Sequence, residues 1–319
     1  MKSVVHWLLD RIPFSLALPL SYLYCRLRYY PPQEQTRRHF HLPRLDETDL
    51  ANNKGSDTLF VLGSGPSINR ISPERWRAIA AHDSVGFNYW LYHSFVPTFY
   101  FMECNNTPGE EAKLYLDLST RRAADYADVP KIFMDLLDTR DGILSGMSEG
   151  WRHNLFAART IPAVARNDKE FADVISYLKK RGVFSPQSRI RYLFKHCATL
   201  STIVVLGAKL QYKNIVLCGV DLTSEEKFYQ ERQDLPDATD LKFFPGEQKH
   251  VTMTRYAWGN TPIDVVLEEL RRQVLRPAGI ELYVEHDKSA LYPQIPLAPD
   301  SVFELPVENV VRSVGRRAT

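Results

Sequence analysis

The chain has 319 residues, of which 44% are hydrophobic and 24% charged, and its 40 basic and 38 acidic side chains leave a formal net charge of +2. This composition indicates a globular protein with one large α/β domain or two small ones, and it excludes a collagen, a disordered tail and a disulfide scaffold. The nearly balanced charge also argues against a nucleic-acid-binding protein, which needs a concentrated basic field.

The first predicted segment is an N-terminal arm, residues 1–55. It contains the uncharged stretch IPFSLALPLSYLYC at 12–25, which is shorter than the roughly 20 apolar residues that cross a bilayer and has no signal-peptide cleavage site. Aromatic residues mix here with arginines, a combination that favours the headgroup zone of an anionic membrane. Two interpretations stay open: a peripheral membrane contact, or a hydrophobic arm that wraps the domain.

The predicted catalytic domain, residues 56–290, begins with a strand, a glycine-rich turn and a helix. The strand and turn read DTLFVLGSGPSI, and Ser72 followed by Pro73 predicts a capped helix start. Apolar runs follow at 84–88, 97–103, 129–136, 213–222 and 280–286, with helical patterns at 169–182, 200–212 and 261–275. This alternation predicts a single Rossmann-like α/β domain, doubly wound around a mostly parallel sheet. Residues 291–319 form a predicted basic tail.

The predicted architecture locates a binding site, because open α/β sheets bind ligands at the carboxyl ends of their strands. Those ends carry the turn Gly63-Ser64-Gly65, Asn88, Glu103 and Asp221. The turn suits backbone N–H groups that are presented to an anion or a nucleotide. It is not a dinucleotide fingerprint, because Ile68 stands at the third glycine position, and no Walker lysine follows. A tight structural turn is the alternative.

Several motifs, in a fixed order, resemble the bacterial sialyltransferases of glycosyltransferase family 42. This chain has GSGPSI, then FN at a strand end, then ATLSTIVVLGAKLQYKNIVLCGVDL, where that family has GNGPSL, CN and a TSG helix leading to LGYKEIYLSGIDF. FYQ at 228–230, a histidine and NTPID at 260–264 follow in the family's order. The resemblance covers about residues 57–290 and implies a GT-A-like variant of the fold. Archaeal-type pterin diphosphokinases and flagellin-modifying proteins share the GSGPS and GVD motifs.

The strand ends and the resemblance together give the candidate donor-binding residues, with a CMP-sugar as donor. Ser64 and Asn88 would contact the cytidine nucleotide, and Thr199 would face the donor. For Asp221, the alternative to donor contact is a structural role as a helix cap or in the turn at the strand end. The full set is Gly63, Ser64, Gly65, Pro66, Ser67, Asn88, Glu103, Thr199 and Asp221.

The resemblance also implies catalytic roles for His250, Tyr229 and Thr223. His250 is the candidate general base, since a neutral imidazole can take a hydroxyl proton near neutral pH. Tyr229 and Thr223 would bind the leaving phosphate, and Thr223 stands where the family has a tyrosine, which shortens its reach. His286 and His196 stay alternatives for the base, because His250 lies farther from the NT pair than the family's histidine does.

We expect no cofactor and no metal. Nucleoside-diphosphate sugars commonly need a divalent cation held by a DxD pair, whereas GVDLTSEEK has one aspartate, and a CMP-sugar releases a monophosphate that hydroxyl groups and a cation can stabilise. Arg189 and Arg191 are candidate partners for the phosphate or a sugar carboxylate, with a solvated loop as the alternative. The four cysteines form no CxxC pair, so we expect reduced thiols.

Residues 223–259 exceed an ordinary connection and lack a core period, which favours a lid over the site. The resemblance thus implies an inverting, metal-independent glycosyltransferase that moves sialic acid or a related nonulosonic acid from a CMP-sugar to a cell-surface glycan such as lipopolysaccharide. Its expected location is the cytoplasm, at the inner face of the cytoplasmic membrane, and the resemblance implies a homo-oligomer. A pterin or nucleotide diphosphokinase and a non-catalytic glycan-assembly protein are the alternatives.

Overall fold

A computed structural model of the chain describes residues 12–103, 110–134, 143–162, 165, 167–187, 189–224, 226–231, 250–253 and 261–305. A seven-stranded sheet lies at its centre, formed by β1 (Thr58–Leu62), β2 (Asp83–Phe87), β3 (Phe99–Glu103), β4 (Lys131–Met134), β5 (Leu155–Ala157), β8 (Asn214–Cys218) and β9 (Glu281–Val284). The strands have the order β5-β4-β3-β2-β1-β8-β9, and every adjacent pair is parallel. The predicted parallel sheet is confirmed. A separate parallel pair joins β6 (Thr160–Pro162) to β7 (Leu193–Lys195).

Helices connect the strands. They are α1 (Phe14–His39), α2 (Pro73–Ala81), α3 (Glu110–Arg121), α4 (Ile143–Gly146), α5 (Glu149–Arg152), α6 (Asp168–Lys180), α7 (Thr199–Lys209) and α8 (Ile263–Leu270). The last of these continues as a π-helical segment, Arg271–Leu275, and a 3-10 turn that ends at Gly279 with a φ of 71°. Among the described helices, none is long and apolar enough to span a bilayer.

The central strand β1 is buried on both faces, as its continuous apolar sequence predicts. Leu59 and Val61 belong to one apolar core, which includes side chains of α6, α7 and α8. Phe60 and Leu62 point the other way and belong to a second core with residues of α2, α3 and α5. Helices therefore cover both faces of the sheet, which makes the fold doubly wound.

One helix start and two helical patterns that were predicted from the sequence are found in the structure. The Ser72 hydroxyl accepts a hydrogen bond from the Arg75 amide at 3.3 Å, and Pro73 is the first helical residue, as predicted. The helical patterns at 169–182 and 200–212 correspond to α6 and α7. The arm was not predicted to be helical, yet 26 of its residues form α1.

The order of the strands creates a switch point beside β1. The chain builds the sheet from β1 to β5 in one direction, and then returns to place β8 on the other side of β1. The connections on the two sides of β1 diverge, which opens a crevice at the carboxyl ends of β1 and β8. The first glycine-rich turn and the GVD motif meet at this crevice.

Candidate active site

A cavity of about 410 Å³ lies at the carboxyl ends of β1, β2, β3 and β8, beside the N-terminus of α7. Its volume is in the range of small-molecule sites, which are roughly 300–1,000 Å³. It is lined by residues from seven separate stretches of sequence, which the fold brings together. The predicted site residues on its wall are Gly63, Ser64, Gly65, Asn88, Glu103, Thr199, Asp221, Tyr229 and His250.

The glycine-rich turn is locked against β8 by its own backbone. The Gly63 amide donates to the Cys218 carbonyl and the Gly65 amide to the Gly219 carbonyl, both at 2.8 Å. A Cβ at Gly63 would lie 2.4 Å from the Gly219 oxygen, which explains the glycine. These two amides are bonded within the protein and do not face a ligand, contrary to the sequence-based expectation for the turn. Sequence could not reveal this, because the acceptors lie more than a hundred residues away.

Asp221 fastens the same turn to the end of β9. Its carboxylate accepts hydrogen bonds from the Ser67 amide at 2.9 Å, the Ser67 hydroxyl at 2.5 Å and His286 Nε2 at 2.8 Å. Burial acts to raise the pKa of Asp221, but the hydrogen bonds from His286 and Ser67 outweigh it, so this pKa is lowered. The hydrogen bond to Asp221 raises the pKa of His286 against the opposing effect of burial. The turn role, the alternative for Asp221, is therefore present in the structure.

Glu103 organises the opposite wall. It accepts a hydrogen bond from the Thr199 hydroxyl and another from Lys195 Nζ at 2.5 Å. Its amide lies 3.4 Å from the Asn88 side-chain oxygen, which ties together the ends of β2 and β3. Asn88 adopts a left-handed conformation with a φ of 51°, and its carbonyl accepts from the Tyr100 hydroxyl. Thr199 and Asn88 thus reach the cavity wall with their positions set by buried contacts.

Tyr229 is packed into an aromatic cluster at the cavity. Only 1% of the residue is exposed, and its ring centroid lies 4.8 Å from that of Tyr92 and 6.2 Å from that of Tyr89. The preceding residue, Phe228, donates its amide to the Ser64 carbonyl at 2.9 Å. The beginning of the predicted lid is therefore bonded directly to the glycine-rich turn.

His250 lies on the cavity wall between Thr252 and Lys227. Its Nδ1 is 2.8 Å from the Thr252 hydroxyl, and its Nε2 is 3.4 Å from Lys227 Nζ. The Thr252 amide also donates a hydrogen bond to Nδ1 at 3.3 Å, and a backbone N–H can only donate, so Nδ1 carries a lone pair in this contact. The contacts with Thr252 hold the imidazole ring in one orientation at the cavity.

Other predicted residues lie outside the cavity wall. Thr223 is exposed and does not line the cavity. Pro66 and Ser67 are buried beneath the turn. Arg189 and Arg191 are exposed and likewise absent from the cavity wall. The predicted lid at 223–259 is described only at 223–224, 226–231 and 250–253, and the NT pair begins at residue 260, outside the described residues.

His196, an alternative base, is a buried structural residue beside the cavity. It is 5% exposed, its Nε2 accepts a hydrogen bond from the Thr261 amide at 3.1 Å, and its ring lies 4.7 Å from Phe171. In the described part of the chain, no three His, Cys, Asp or Glu side chains are arranged to hold a metal ion.

Three residues at the site were not predicted from the sequence. Lys227 lines the cavity, and Lys195 pairs with Glu103 on its wall. Cys197 also lines it, with a left-handed φ of 65° and an Sγ that donates to the Thr252 carbonyl at 3.4 Å. Burial raises the pKa of Cys197 to about 11, so it is a thiol at neutral pH. Lys195 directly precedes the HCATL motif and Lys227 directly precedes FYQ. This proximity to the motifs is the sequence signal from which both could have been predicted.

Comparison with known proteins finds distant structural neighbours. No protein-family model matches the sequence, and no curated protein matches it. The monofunctional alpha-2,3-sialyltransferase Cst-I from Campylobacter jejuni is 14% identical over 77% of this chain and 81% of that chain, with a TM-score of 0.38. The crystal structure of the sialyltransferase Cst-II in complex with CMP is 16% identical over 77% of this chain and 87% of that chain, with a TM-score of 0.37.

Proposed function

We propose that this chain is a sialyltransferase-type glycosyltransferase, which moves sialic acid or a related nonulosonic acid from a CMP-linked donor to a glycan. The observation that supports the proposal is the cavity at the switch point. The motif residues predicted from the sequence lie up to 187 positions apart, from Gly63 to His250, and nine of them line a single cavity of about 410 Å³. Open parallel sheets bind nucleotides at this place.

In this proposal the sheet side of the cavity binds the donor. Ser64 and Asn88 contact the cytidine nucleotide, and Thr199 and Glu103 complete the wall. Asp221 supports the turn from beneath through Ser67. These groups are held by bonds between secondary-structure elements, so they are positioned before a ligand arrives, which lowers the cost of binding.

The proposed reaction is one in-line displacement with inversion. His250 takes the proton of the acceptor hydroxyl, whose oxygen forms the new bond to the anomeric carbon. The bond from that carbon to the phosphate oxygen breaks, and its electron pair leaves with CMP. Tyr229, assisted by Lys227, stabilises the charge that develops on the phosphate. The proposal assigns no metal to this step, since a single phosphate monoester leaves.

The acceptor in this proposal is a cell-surface glycan such as lipopolysaccharide, built at the inner face of the cytoplasmic membrane. A donor of this class must be shielded from water, because hydrolysis competes with transfer. The segment 223–259 supplies Tyr229 and His250 to the cavity, so we assign it the shielding role.

The first test is thermal unfolding of the protein with CMP, UDP, GDP and ATP, each with and without EDTA. A ligand that binds only the folded state stabilises it by about 2.7 kcal/mol at a concentration 100 times its Kd. We expect CMP to stabilise the protein selectively and EDTA to change nothing. Stabilisation by ATP that needs magnesium would support a diphosphokinase, and no shift with any nucleotide would support a non-catalytic protein.

A matched pair of variants localises the binding. Asn88→Gly removes the amide from the cavity while keeping the left-handed backbone, which glycine tolerates. Asn154→Gly makes the same change at an asparagine with a φ of 54° that is absent from the cavity wall. We expect the CMP-dependent shift to shrink in the first variant only. Equal shifts in both would remove Asn88 from the donor site.

A further inference from the structure

The N-terminal helix α1 carries a leucine stripe on its outer face. Leu16, Leu20, Leu23 and Leu27 are 58%, 50%, 50% and 68% exposed. Their spacing of four, three and four residues places all four on one side of a helix. Contiguous apolar surface of this kind marks interaction sites in soluble proteins.

The opposite face of α1 is anchored to the domain. Ala17 is 5% exposed, and Phe14, Leu18 and Tyr22 pack against the larger apolar core. About two turns beyond Tyr22, past the last leucine of the stripe, Tyr30 stacks on Tyr192 with ring centroids 5.9 Å apart, which holds this part of the helix to the domain as well. The helix is therefore fixed in orientation, and the leucine stripe points away from the protein. One face of the arm packs on the domain and the leucine face is exposed, and the membrane contact stays a prediction.

The charge around the leucine stripe has a single sign. Between Asp10 and Glu34 the sequence contains no acidic residue. Arg26 and Arg28 are both exposed, and at about 100° per residue they lie roughly 100° to either side of the stripe. An apolar face bordered by arginines is the arrangement with which helices lie in the interface of an anionic membrane, with leucines among the acyl chains and guanidinium groups among the phosphates.

We infer that the leucine stripe docks this protein onto an anionic lipid surface, with α1 lying parallel to the membrane. A second copy of the chain fits this face less well. Heptad-spaced leucines also form coiled coils, but pairing there uses opposite charges beside the seam, whereas two copies would bring arginines together. The stripe also exposes on the order of a few hundred Å², below the ~800 Å² that each partner contributes to a standard interface.

The inference does not depend on the proposed transferase activity, because it concerns a surface on α1 that shares no residue with the cavity. A protein without any transferase activity would dock in the same way. Lipid binding and CMP binding are therefore measured separately, and failure of one leaves the other standing.

The test is co-sedimentation of the full-length chain with vesicles of phosphatidylcholine, with and without phosphatidylglycerol. We expect binding to the anionic vesicles and a decrease with salt, since salt screens the arginines. Leu20→Gln/Leu23→Gln should weaken binding about tenfold or more. Arg26→Gln/Arg28→Gln should weaken it about fivefold for each arginine.

The matched control is Leu297→Gln/Leu305→Gln, which removes two leucines that are 40% and 59% exposed elsewhere on the protein. This variant should bind vesicles as the original chain does. All variants should keep the original melting temperature, because the changed side chains are exposed. The inference is wrong if the original chain does not sediment with anionic vesicles, or if the leucine variant and its control bind equally. It is also overturned if the leucine variant instead reduces the oligomeric state measured by light scattering, because the stripe is then a contact between copies.

Discussion

Removing the Asp221–His286 pair should destabilise the protein in a pH-dependent way. His286→Gln deletes one of the three hydrogen bonds to the Asp221 carboxylate, whose residue is 8% exposed. The pKa of Asp221 is lowered, so its contribution is present above the ordinary value of 3.8 and is lost as the pH falls through the folded-state value. The pKa of His286 is raised, so its contribution is present below the ordinary value of 6.5 and is lost as the pH rises through the folded-state value. The stabilising contributions of both residues are therefore present between pH 3.8 and pH 6.5, the ordinary pKa values of the two groups.

The size of the effect follows from the environment of the pair. A hydrogen bond between charged groups contributes about 1.5–3 kcal/mol, and one between a charged and a neutral group less. Because the His286 side chain is 21% exposed, we expect a coupling free energy of about 2 kcal/mol near pH 5.5 and about 1 kcal/mol or less near pH 9. For a domain of this size, a loss of about 2 kcal/mol in the free energy of unfolding lowers the melting temperature by roughly 4–8 °C.

A double-mutant cycle measures the coupling. Urea unfolding of the original chain, His286→Gln, Asp221→Asn and the double variant gives the interaction free energy at each pH. The control is Asp125→Asn, which breaks the 2.6 Å ion pair between Asp125 and Arg122. The Asp125 side chain is 53% exposed, so the variant should lower the free energy of unfolding by less than about 1 kcal/mol. A coupling that stays constant or grows from pH 5.5 to 9 would refute the reasoning. If His286→Gln also abolished transfer in folded protein, the base would be His286.

Two further changes test the catalytic and structural parts of the site. His250→Ala should reduce transfer by about 10²–10⁴-fold and leave the CMP-induced rise in melting temperature intact, since a base acts mainly in the transition state; full activity in a transfer assay would contradict the assignment. Gly65→Ala would place a Cβ 2.5 Å from Asp221 Oδ2 and 2.8 Å from the Gly219 oxygen, and should cost about 1–3 kcal/mol in urea unfolding. Gly150→Ala, where the nearest atom is 3.6 Å away, is its control, and an equal cost in both variants would show that the close contact is not the cause.

The sequence predicted the elements that have strong local signals. Strand β1 is apolar along its whole length, and the Ser72-Pro73 pair marks the start of α2, so both were found. Asn88 and Glu103 could be placed at one edge because the carboxyl ends of parallel strands meet there. Local pattern and one general property of α/β sheets were sufficient for this part of the fold and of the cavity.

Other features depended on contacts that sequence does not show. Helix α1 contains Pro19, Pro31 and Pro32, residues that disfavour a helix interior, and packing against the domain overrides that preference. Strands β5, β6 and β7 have three residues each, too few to display a period. The neighbouring HCATL motif could have placed Lys195 near the site, but its pairing with Glu103 could not be predicted, because the two residues are 92 positions apart.

The cavity combines two sets of residues that differ in how they are held. The sheet side is fastened by bonds between elements, as Ser67 to Asp221 and Thr199 to Glu103 illustrate. Tyr229 and His250 both belong to the single connection 223–259, which is bonded to the turn at its beginning through Phe228. In the proposed reaction, donor binding would depend mainly on the sheet side, whereas proton transfer and stabilisation of the leaving group would depend on the connection. The two sets touch through Phe228 and Ser64 and through Cys197 and Thr252, but the side chains with proposed roles differ, so donor affinity and turnover should respond to different substitutions.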